Sequence, residues 1–168
     1  MPCKHCPRCG GELKKKSSEM ALCQICGFEF YEVPKVSVNV ILVNDRGEIL
    51  MAKRKREPFI GTWNTLGGHV NPGETAEEAA RREVKEESGL IVKDLKYHSS
   101  YSGNYPYQGI DHKTLAMTFF GKPVGRPKPG SDIAKIVYFR PEEIEVDRIP
   151  FKSDREALRD YIRLTKKP

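Results

Sequence analysis

The spacing of apolar residues along the chain follows two periods, and together they predict alternating strands and helices. Residues 36–43 are rich in β-branched side chains and predict a buried strand. Turn residues at 44–47 predict a hairpin that returns as a second strand at about 48–54. Three later segments are also strand-like: 91–101, 115–121 and 136–139. The order β-β-helix-β-β-β-helix favours an α/β fold in which a mixed sheet lies between helices.

Capping signals predict where both helices begin. Thr75 and Glu78 form a capping box for a helix that starts at about Ala76 and ends at Gly89. A second capping box, at residues 153–156, predicts a C-terminal helix. Its apolar residues form a core-facing stripe that consists of Ala157, Leu158, Tyr161, Ile162 and, at its end, Leu164.

Two carboxylates of the first helix lie on a face where apolar residues are expected. At 3.6 residues per turn, Glu83 and Glu87 continue the small-residue stripe of Ala76 and Ala80. A carboxylate on such a face needs a cation or several donors to stay charged. Clustered carboxylate oxygens are the ligands that hard divalent cations select, so the pattern predicts a metal site. An ordinary charged helix is the alternative.

The chain begins with a cysteine-rich segment that is typical of a structural zinc site. Two C-x2-C-G motifs are separated by a spacer that lets four thiolates converge on Zn²⁺, from Cys6, Cys9, Cys23 and Cys26. The segment resembles a zinc ribbon. A disulfide framework is disfavoured because no secretory signal is present, and a redox pair because no βαβ context surrounds either motif. Cys3 and His5 fit neither motif.

Length and charge bound the class of protein. The 168 residues allow one substantial core and a small appendage, and Pro34 marks a boundary between a ribbon domain at 1–33 and a larger domain at 34–168. Without an apolar run of about 18 residues or a signal peptide, we expect a soluble, cytoplasmic protein with no membrane partner. The net charge of +6 suits a polyanionic ligand, with basic clusters at 14–16, 53–56 and 166–167. An ordinary soluble surface is the alternative.

Residues 68–90 resemble the Nudix box, G-x5-E-x7-R-E-U-x-E-E-x-G-U with U apolar. They match at every defined position: Gly68, Glu74, Arg82, Glu83, Val84, Glu86, Glu87, Gly89 and Leu90. The preceding R-x-P-x-x-G-x-W at 56–63 also resembles this family, although Leu66 stands where the family often has proline. The resemblance implies that 34–168 is a Nudix hydrolase domain with an α/β/α sandwich at about 35–165.

The resemblance also implies a site for Mg²⁺ or Mn²⁺. Glu83 and Glu87 correspond to metal ligands of the family, joined by a backbone carbonyl near Gly67. Asp132 is a candidate further ligand or general base because related enzymes often carry an acid there. The alternative for Asp132 is a loop-capping residue in Pro-Gly-Ser-Asp.

Three other charged residues of the box are expected to support these ligands. Arg82 lies within i,i+4 reach of Glu86, and we expect it to organise carboxylates rather than grip substrate. Glu74 is expected to hold the loop to the helix in the same network. Glu86 is a candidate to bind a metal through water or to orient the nucleophile.

Substrate residues are predicted before and after the box. Arg54 and Arg56 are candidates to steady a diphosphate, and otherwise they face water. Residues 101–109 predict a loop in which Tyr105 and Tyr107 stack on a base, or close one end of the core. A ribbon before a Nudix domain resembles the NADH pyrophosphatases, but their S-Q-P-W-P-F-P-x-S array is only echoed at 105–107. The segment is closer to ADP-ribose pyrophosphatase-like proteins.

We therefore expect a hydrolase that cleaves the diphosphate of ADP-ribose or a related nucleoside diphosphate derivative and releases a nucleoside monophosphate. Two alternatives remain: a non-catalytic nucleotide sensor, and a nucleic-acid-binding or RNA-end-processing protein that uses the ribbon and the basic clusters. A homodimer and a nucleic-acid partner are both left open.

Overall fold

The computed structural model describes residues 3–165, so the predicted basic cluster at Lys166 and Lys167 lies outside the described residues. Two units, Met1–Pro34 and Lys35–Pro168, can be distinguished and are described separately. Within 3–165, no helix is long and apolar enough to cross a bilayer. The first unit is a three-stranded antiparallel sheet in sequence order, built from Leu13–Lys15 (β1), Met20–Cys23 (β2) and Glu29–Tyr31 (β3).

The second unit contains a four-stranded and a three-stranded sheet. The larger sheet comprises Lys35–Leu42 (β4), Leu66–His69 (β7), Ile91–Tyr107 (β8) and Ile110–Val124 (β9), in the order β7-β4-β9-β8. Because β4 pairs antiparallel with β7 and parallel with β9, this sheet is mixed, as predicted. The smaller sheet has the order β10-β5-β6 and comprises Ile49–Arg54 (β5), Trp63–Asn64 (β6) and Ile133–Phe139 (β10).

The turn predicted at 44–47 is present, but the prediction that the two strands it joins pair as a hairpin is wrong. Strands β4 and β5 lie in different sheets and meet at the turn, through a bridge between Val43 and Ile49 and a 3.1 Å hydrogen bond from the Asn44 N–H to the carbonyl of Glu48. The reason is that β4 is a central strand, with five consecutive buried residues at 38–42. Both of its edges are already occupied, by β7 and by β9. Strand β5 must therefore pair elsewhere, with β10 and β6.

The predicted loop at 101–109 is also wrong, because residues 101–107 continue β8. They pair with β9 from Ile110 to Ala116, and the chain reverses at Gln108 and Gly109, both with positive φ. Pro106 is tolerated in this strand because β8 forms the edge of its sheet, where no partner needs the missing N–H. The result is a hairpin much longer than the predicted strands at 91–101 and 115–121.

Two α-helices complete the unit. Helix α1, Ala76–Ser88, begins at the predicted Thr75–Glu78 capping box and ends at Gly89 in the left-handed conformation. Helix α2, Lys152–Thr165, starts one residue before the predicted capping box, so Ser153 lies inside the helix and caps nothing. Leu164 is exposed, contrary to its place in the predicted stripe. Two short 3-10 helices precede α2, at Pro141–Glu143 and Val146–Arg148.

The two helices pack on opposite faces of β4. Val38, Val40 and Leu42 share a buried cluster with the α1 residues Ala79, Ala80 and Val84. Ile41 points to the other face, where a second cluster contains the α2 residues Ala157 and Leu158. The predicted α/β/α arrangement is therefore confirmed, and it places the carboxylates of α1 beside the β7 backbone.

Candidate active site and metal centre

The four cysteines of the two C-x2-C-G motifs come together in the first unit. Their Sγ atoms all lie within 4.8 Å of one another. Cys6 Sγ is 3.7 Å from Cys26 Sγ, and Cys9 Sγ is 3.5 Å from Cys23 Sγ. Tetrahedral Zn²⁺ with Zn–S bonds of about 2.3 Å separates its sulfur ligands by about 3.8 Å, so the cluster fits zinc. The thiol of Cys3 instead donates to the carbonyl of His5 and stands outside the cluster.

In the second unit, the consecutive glycines of β7 bring the sheet backbone against α1. The N–H of Gly67 donates a 3.0 Å hydrogen bond to Oε2 of Glu87. A Cβ atom on Gly68 would lie 2.3 Å from Oε1 of Glu83, so only glycine leaves room for that carboxylate. A Cβ on Gly67 would lie 2.0 Å from the carbonyl oxygen of Val38. The two glycines thus fix both carboxylates against one strand.

Burial shapes the acidity of both carboxylates. It raises the pKa of Glu87 to about 8, against the lowering effect of the Gly67 N–H. It also raises the pKa of Glu83, although a hydrogen bond from Arg82 opposes the shift. Carboxylates whose charge is poorly compensated by the protein attract a divalent cation, so this pair fits Mg²⁺ or Mn²⁺.

Arg82 lies at the centre of a network of box residues. Its Nε and Nη2 donate to the two oxygens of Glu74 at 2.7 and 2.9 Å, which lowers the pKa of Glu74 to about 2. Its Nη1 lies 2.7 Å from Oε1 of Glu83 and 3.3 Å from Oε2 of Glu86. Nη2 of Arg82 also donates to the carbonyl of His69, at 2.9 Å. Arg82 therefore connects the loop before α1 to the helix, while Glu86 stays largely exposed.

Asp132 reaches the same cleft through a loop that docks on the end of α1. The backbone N–H groups of Lys128 and Gly130 each donate 2.8 Å hydrogen bonds, to the carbonyls of Ser88 and Glu87. A Cβ on Gly130 would lie 2.2 Å from the carbonyl oxygen of Glu86, so this close approach also requires glycine. The Asp132 carboxylate pairs with Arg56, at 3.0 Å.

The carboxylates of the cleft are less tightly clustered than the thiols. Among residues 3–165, the four cysteines are the one group of three or more His, Cys, Asp or Glu residues with ligand atoms all within 4.8 Å. Glu83, Glu87 and Asp132 border the same cleft, but their carboxylate oxygens do not all lie within 4.8 Å of one another.

The cleft has a volume of about 420 Å³ and is bordered by all four predicted substrate residues, Arg54, Arg56, Tyr105 and Tyr107. Nε of Arg54 donates a 2.7 Å hydrogen bond to the carbonyl of Pro58, and its guanidinium lies 5.1 Å from the ring centre of Phe151. The Tyr105 ring stacks nearly parallel on Phe151, with centroids 5.8 Å apart. The cleft thus combines cationic and aromatic groups, and Arg54 and Tyr105 both lie against Phe151.

The sequence interpretation missed several polar residues that border this cleft. Asp154, taken as part of a helix cap, is buried on α2 and accepts hydrogen bonds from the N–H and Oγ1 of Thr65. Burial raises its pKa to about 6. Asn39 and Asn64 are buried at the same cleft. The available signal was Asn39 itself, a polar residue inside a strand of β-branched residues.

Comparison with known proteins supports the box assignment. The curated protein "NAD-capped RNA hydrolase NudC" of Haemophilus influenzae strain PittGG is 39% identical over 107 residues, which is 61% of this chain and 40% of that protein. The protein of the same description from Stutzerimonas stutzeri strain A1501 is 29% identical over 164 residues, covering 94% of this chain and 53% of that protein. The chain thus spans about half the length of these relatives, or less.

The fold comparison gives the same result. The crystal structure of a NUDIX hydrolase from Nitrosomonas europaea has a TM-score of 0.75 and 26% sequence identity, covering 99% of this chain and 95% of that chain. The sequence pattern of the NUDIX domain matches residues 33–162, well over half of the chain. The box, the α/β/α arrangement and this match agree, and the chain belongs to the Nudix family.

Proposed function

We propose that the protein is a metal-dependent hydrolase that cleaves the diphosphate linkage of a nucleoside diphosphate derivative and releases a nucleoside monophosphate. The observation that carries this proposal is the position of Glu83 and Glu87, held against the Gly67–Gly68 backbone at the edge of a cleft. Membership of the Nudix family supports it. The substrate class is ADP-ribose or a dinucleotide.

Glu83 and Glu87 would hold Mg²⁺ or Mn²⁺, with a backbone carbonyl near Gly67 and with Asp132 as a further ligand or general base. When bound, the ion supplies positive charge for the phosphate oxygens and makes a bound water more acidic. Arg82 and Glu74 act as positioning residues, because Arg82 contacts both Glu74 and Glu83. Glu86, which is exposed, would bind a metal through water or orient the attacking water.

The two predicted arginines and the two predicted tyrosines are assigned to different parts of the ligand, the diphosphate and the base. Arg54 and Arg56 border the cleft as fixed positive charges and would steady the diphosphate. Tyr105 presents an aromatic face in a stack with Phe151, and Tyr107 lies next to it. A purine base fits this aromatic side.

The two relatives reported above add one further candidate substrate. Both are named as hydrolases of NAD-capped RNA, so the 5′ end of such an RNA joins the candidate substrates beside ADP-ribose, NAD and NADH. In this proposal residues 1–33 form a zinc-stabilised ribbon domain and 34–168 the hydrolase domain of a cytoplasmic enzyme. The ribbon would be the part that contacts an RNA substrate, or a second copy in a homodimer.

The test is release of nucleoside monophosphate from ADP-ribose, NAD, NADH, diadenosine polyphosphates, nucleoside triphosphates and NAD-capped RNA, with Mg²⁺ or Mn²⁺. We expect turnover that Glu83→Gln and Glu87→Gln abolish. Glu77→Gln is the matched control, because Glu77 is exposed on the same helix and lies away from the cleft. If no compound turns over while metal binds and the fold is intact, the proposal is wrong and the sensor alternative takes its place.

A further inference from the structure

Buried polar side chains are concentrated at the cleft. Among residues 3–165, eight polar or charged residues are buried, and six of these border the cleft: Asn39, Asn64, Thr65, Thr114, Ser153 and Asp154. We call these six residues the polar floor. Buried polar groups are normally paired inside a protein, and their accumulation at one cavity indicates that something else pairs with them.

Several atoms of the polar floor have unused hydrogen-bonding capacity. Nδ2 of Asn39 and Oδ1 of Asn64 are buried and have no partner. Both hydrogen bonds to Asp154 come from Thr65 and reach Oδ2, so within residues 3–165 Oδ1 accepts no hydrogen bond. These three atoms therefore offer a ligand one donor group and two acceptors.

The polar floor adjoins the two carboxylates of α1. Asn39 lies directly opposite Gly67 in the pairing of β4 with β7. Thr65 precedes Gly67 by two residues, and the Gly67 N–H is the group that contacts Glu87. A ligand group on the floor is therefore one that is attached next to the scissile diphosphate.

The chemistry of the floor selects among the parts of a nucleotide. A phosphate is disfavoured because the Asp154 carboxylate would repel it, and a base fits the aromatic side at Tyr105 and Phe151 better. A vicinal diol supplies two O–H donors for Asn64 Oδ1 and Asp154 Oδ1, and a hydroxyl oxygen accepts from Asn39 Nδ2.

We propose that the polar floor binds the vicinal hydroxyl groups of the ribose attached to the scissile diphosphate. This inference rests on the proposed function, since it assigns the sugar subsite of the same cleft. It makes Asp154, Asn64 and Asn39 specificity-determining residues that prefer ribose to deoxyribose.

The test measures binding and needs no turnover. Ribose 5-phosphate and 2-deoxyribose 5-phosphate are titrated, with Mg²⁺, into the 19.1 kDa protein, and amide NMR shifts give the two dissociation constants. We expect ribose 5-phosphate to bind about tenfold more tightly, the effect of one or two hydrogen bonds, and to shift the Thr65 and Gly67 amides. Equal binding of the two sugars, or binding of neither, overturns the proposal.

Asp154→Asn keeps the shape of the side chain and an oxygen for Thr65, but turns an amide donor toward the cleft. It should abolish the preference for ribose. Asp160→Asn is the matched control, a carboxylate on the same helix that accepts from Tyr101 and does not border the cleft. It should retain the preference.

Asn64→Leu keeps the test decisive if Asp154→Asn fails to fold. It removes an unpaired buried acceptor, so we expect an unchanged or higher melting temperature together with weaker binding of ribose 5-phosphate. A lower melting temperature with an intact ribose preference would make Asn64 a structural residue and overturn the proposal. Diphosphate hydrolysis without any ribose preference would reject the sugar subsite alone, and ribose preference without hydrolysis would reject the proposed function alone.

Discussion

The backbone N–H of Gly67 donates a 3.0 Å hydrogen bond to Oε2 of Glu87, which places a helix carboxylate against a strand that ends seven residues before the helix begins. Because Glu87 is buried, this one donor does not offset the loss of hydration, and its pKa stays raised at about 8. Glycine is needed at position 67 because a Cβ there would lie 2.0 Å from the carbonyl oxygen of Val38. The buried carboxylate, with one donor, is poised for a cation rather than for solvent.

Gly68→Ala should lower activity strongly while the fold is retained. The new Cβ would lie 2.3 Å from Oε1 of Glu83, so the carboxylate must move away, and a displacement of about 1 Å at a catalytic group lowers turnover by about 100-fold. Steady-state hydrolysis rates check this. Gly73→Ala is the control, because a Cβ there meets nothing within 4 Å and costs only about 1–2 kcal/mol of backbone strain. Equal losses in the two variants would contradict the account.

Arg82→Lys should lower kcat more than it changes KM. The guanidinium holds Glu74 through two hydrogen bonds and Glu83 through a third, and a lysine ammonium cannot reproduce this fork. Loss of such a supporting contact lowers activity by about 10- to 100-fold. Arg81→Lys serves for comparison, since Arg81 lies on the same helix as Arg82 and donates to the carbonyl of Val92 in β8. A raised KM with unchanged kcat would mean that Arg82 binds substrate.

Cys9→Ser or Cys26→Ser should release zinc, whereas Cys3→Ser should retain it. The first two thiols belong to the cluster of four, and Cys3 lies outside it. Because so small a unit depends on its metal for folding, zinc loss should also remove the dispersion of its NMR signals. Elemental analysis of the purified protein gives the zinc content per chain. One zinc ion retained in Cys26→Ser would refute the assigned ligand set.

Asp154 should make the protein less stable as pH rises. Its pKa is about 6 in the folded chain and near 3.8 otherwise, so the folded state binds the proton more tightly. The free energy of unfolding therefore falls between about pH 4 and pH 6 and stays lower above pH 6, by about 3 kcal/mol. Asp154→Asn should remove this loss, so that it is more stable than wild type at pH 7 but not at pH 4. Urea unfolding at both pH values checks this, with Asp160→Asn as the control.

Local signals predicted α1 completely, including the stripe that carries Glu83 and Glu87. Its capping box, its terminal glycine and its stripe of alanines are set by neighbouring residues, so no knowledge of the sheet was needed. The zinc motifs were predictable for the same reason, because each cysteine pair is closed by its own glycine turn.

Strand partners and the polar floor depend on contacts between distant residues, which periodicity cannot supply. The pairing of β4 with β9 joins residues about 80 positions apart. Because this pairing occupies one edge of β4, β5 does not pair with β4 as predicted. Asp154 contacts Thr65 across 89 positions, so its local pattern indicated only a helix cap. The loop predicted at 101–109 was wrong for the same reason, since residues 101–107 pair with β9 as the edge strand of the sheet.

The most direct test of the central claim is a titration of Mn²⁺ into wild type, Glu87→Gln and Glu77→Gln, followed by electron paramagnetic resonance, with ADP-ribose hydrolysis measured in the same samples. The account predicts that Glu87→Gln loses both the cleft-bound Mn²⁺ and turnover, while Glu77→Gln keeps both. Undiminished Mn²⁺ binding and hydrolysis in Glu87→Gln would contradict it, because the carboxylate held by Gly67 would then have no part in the chemistry.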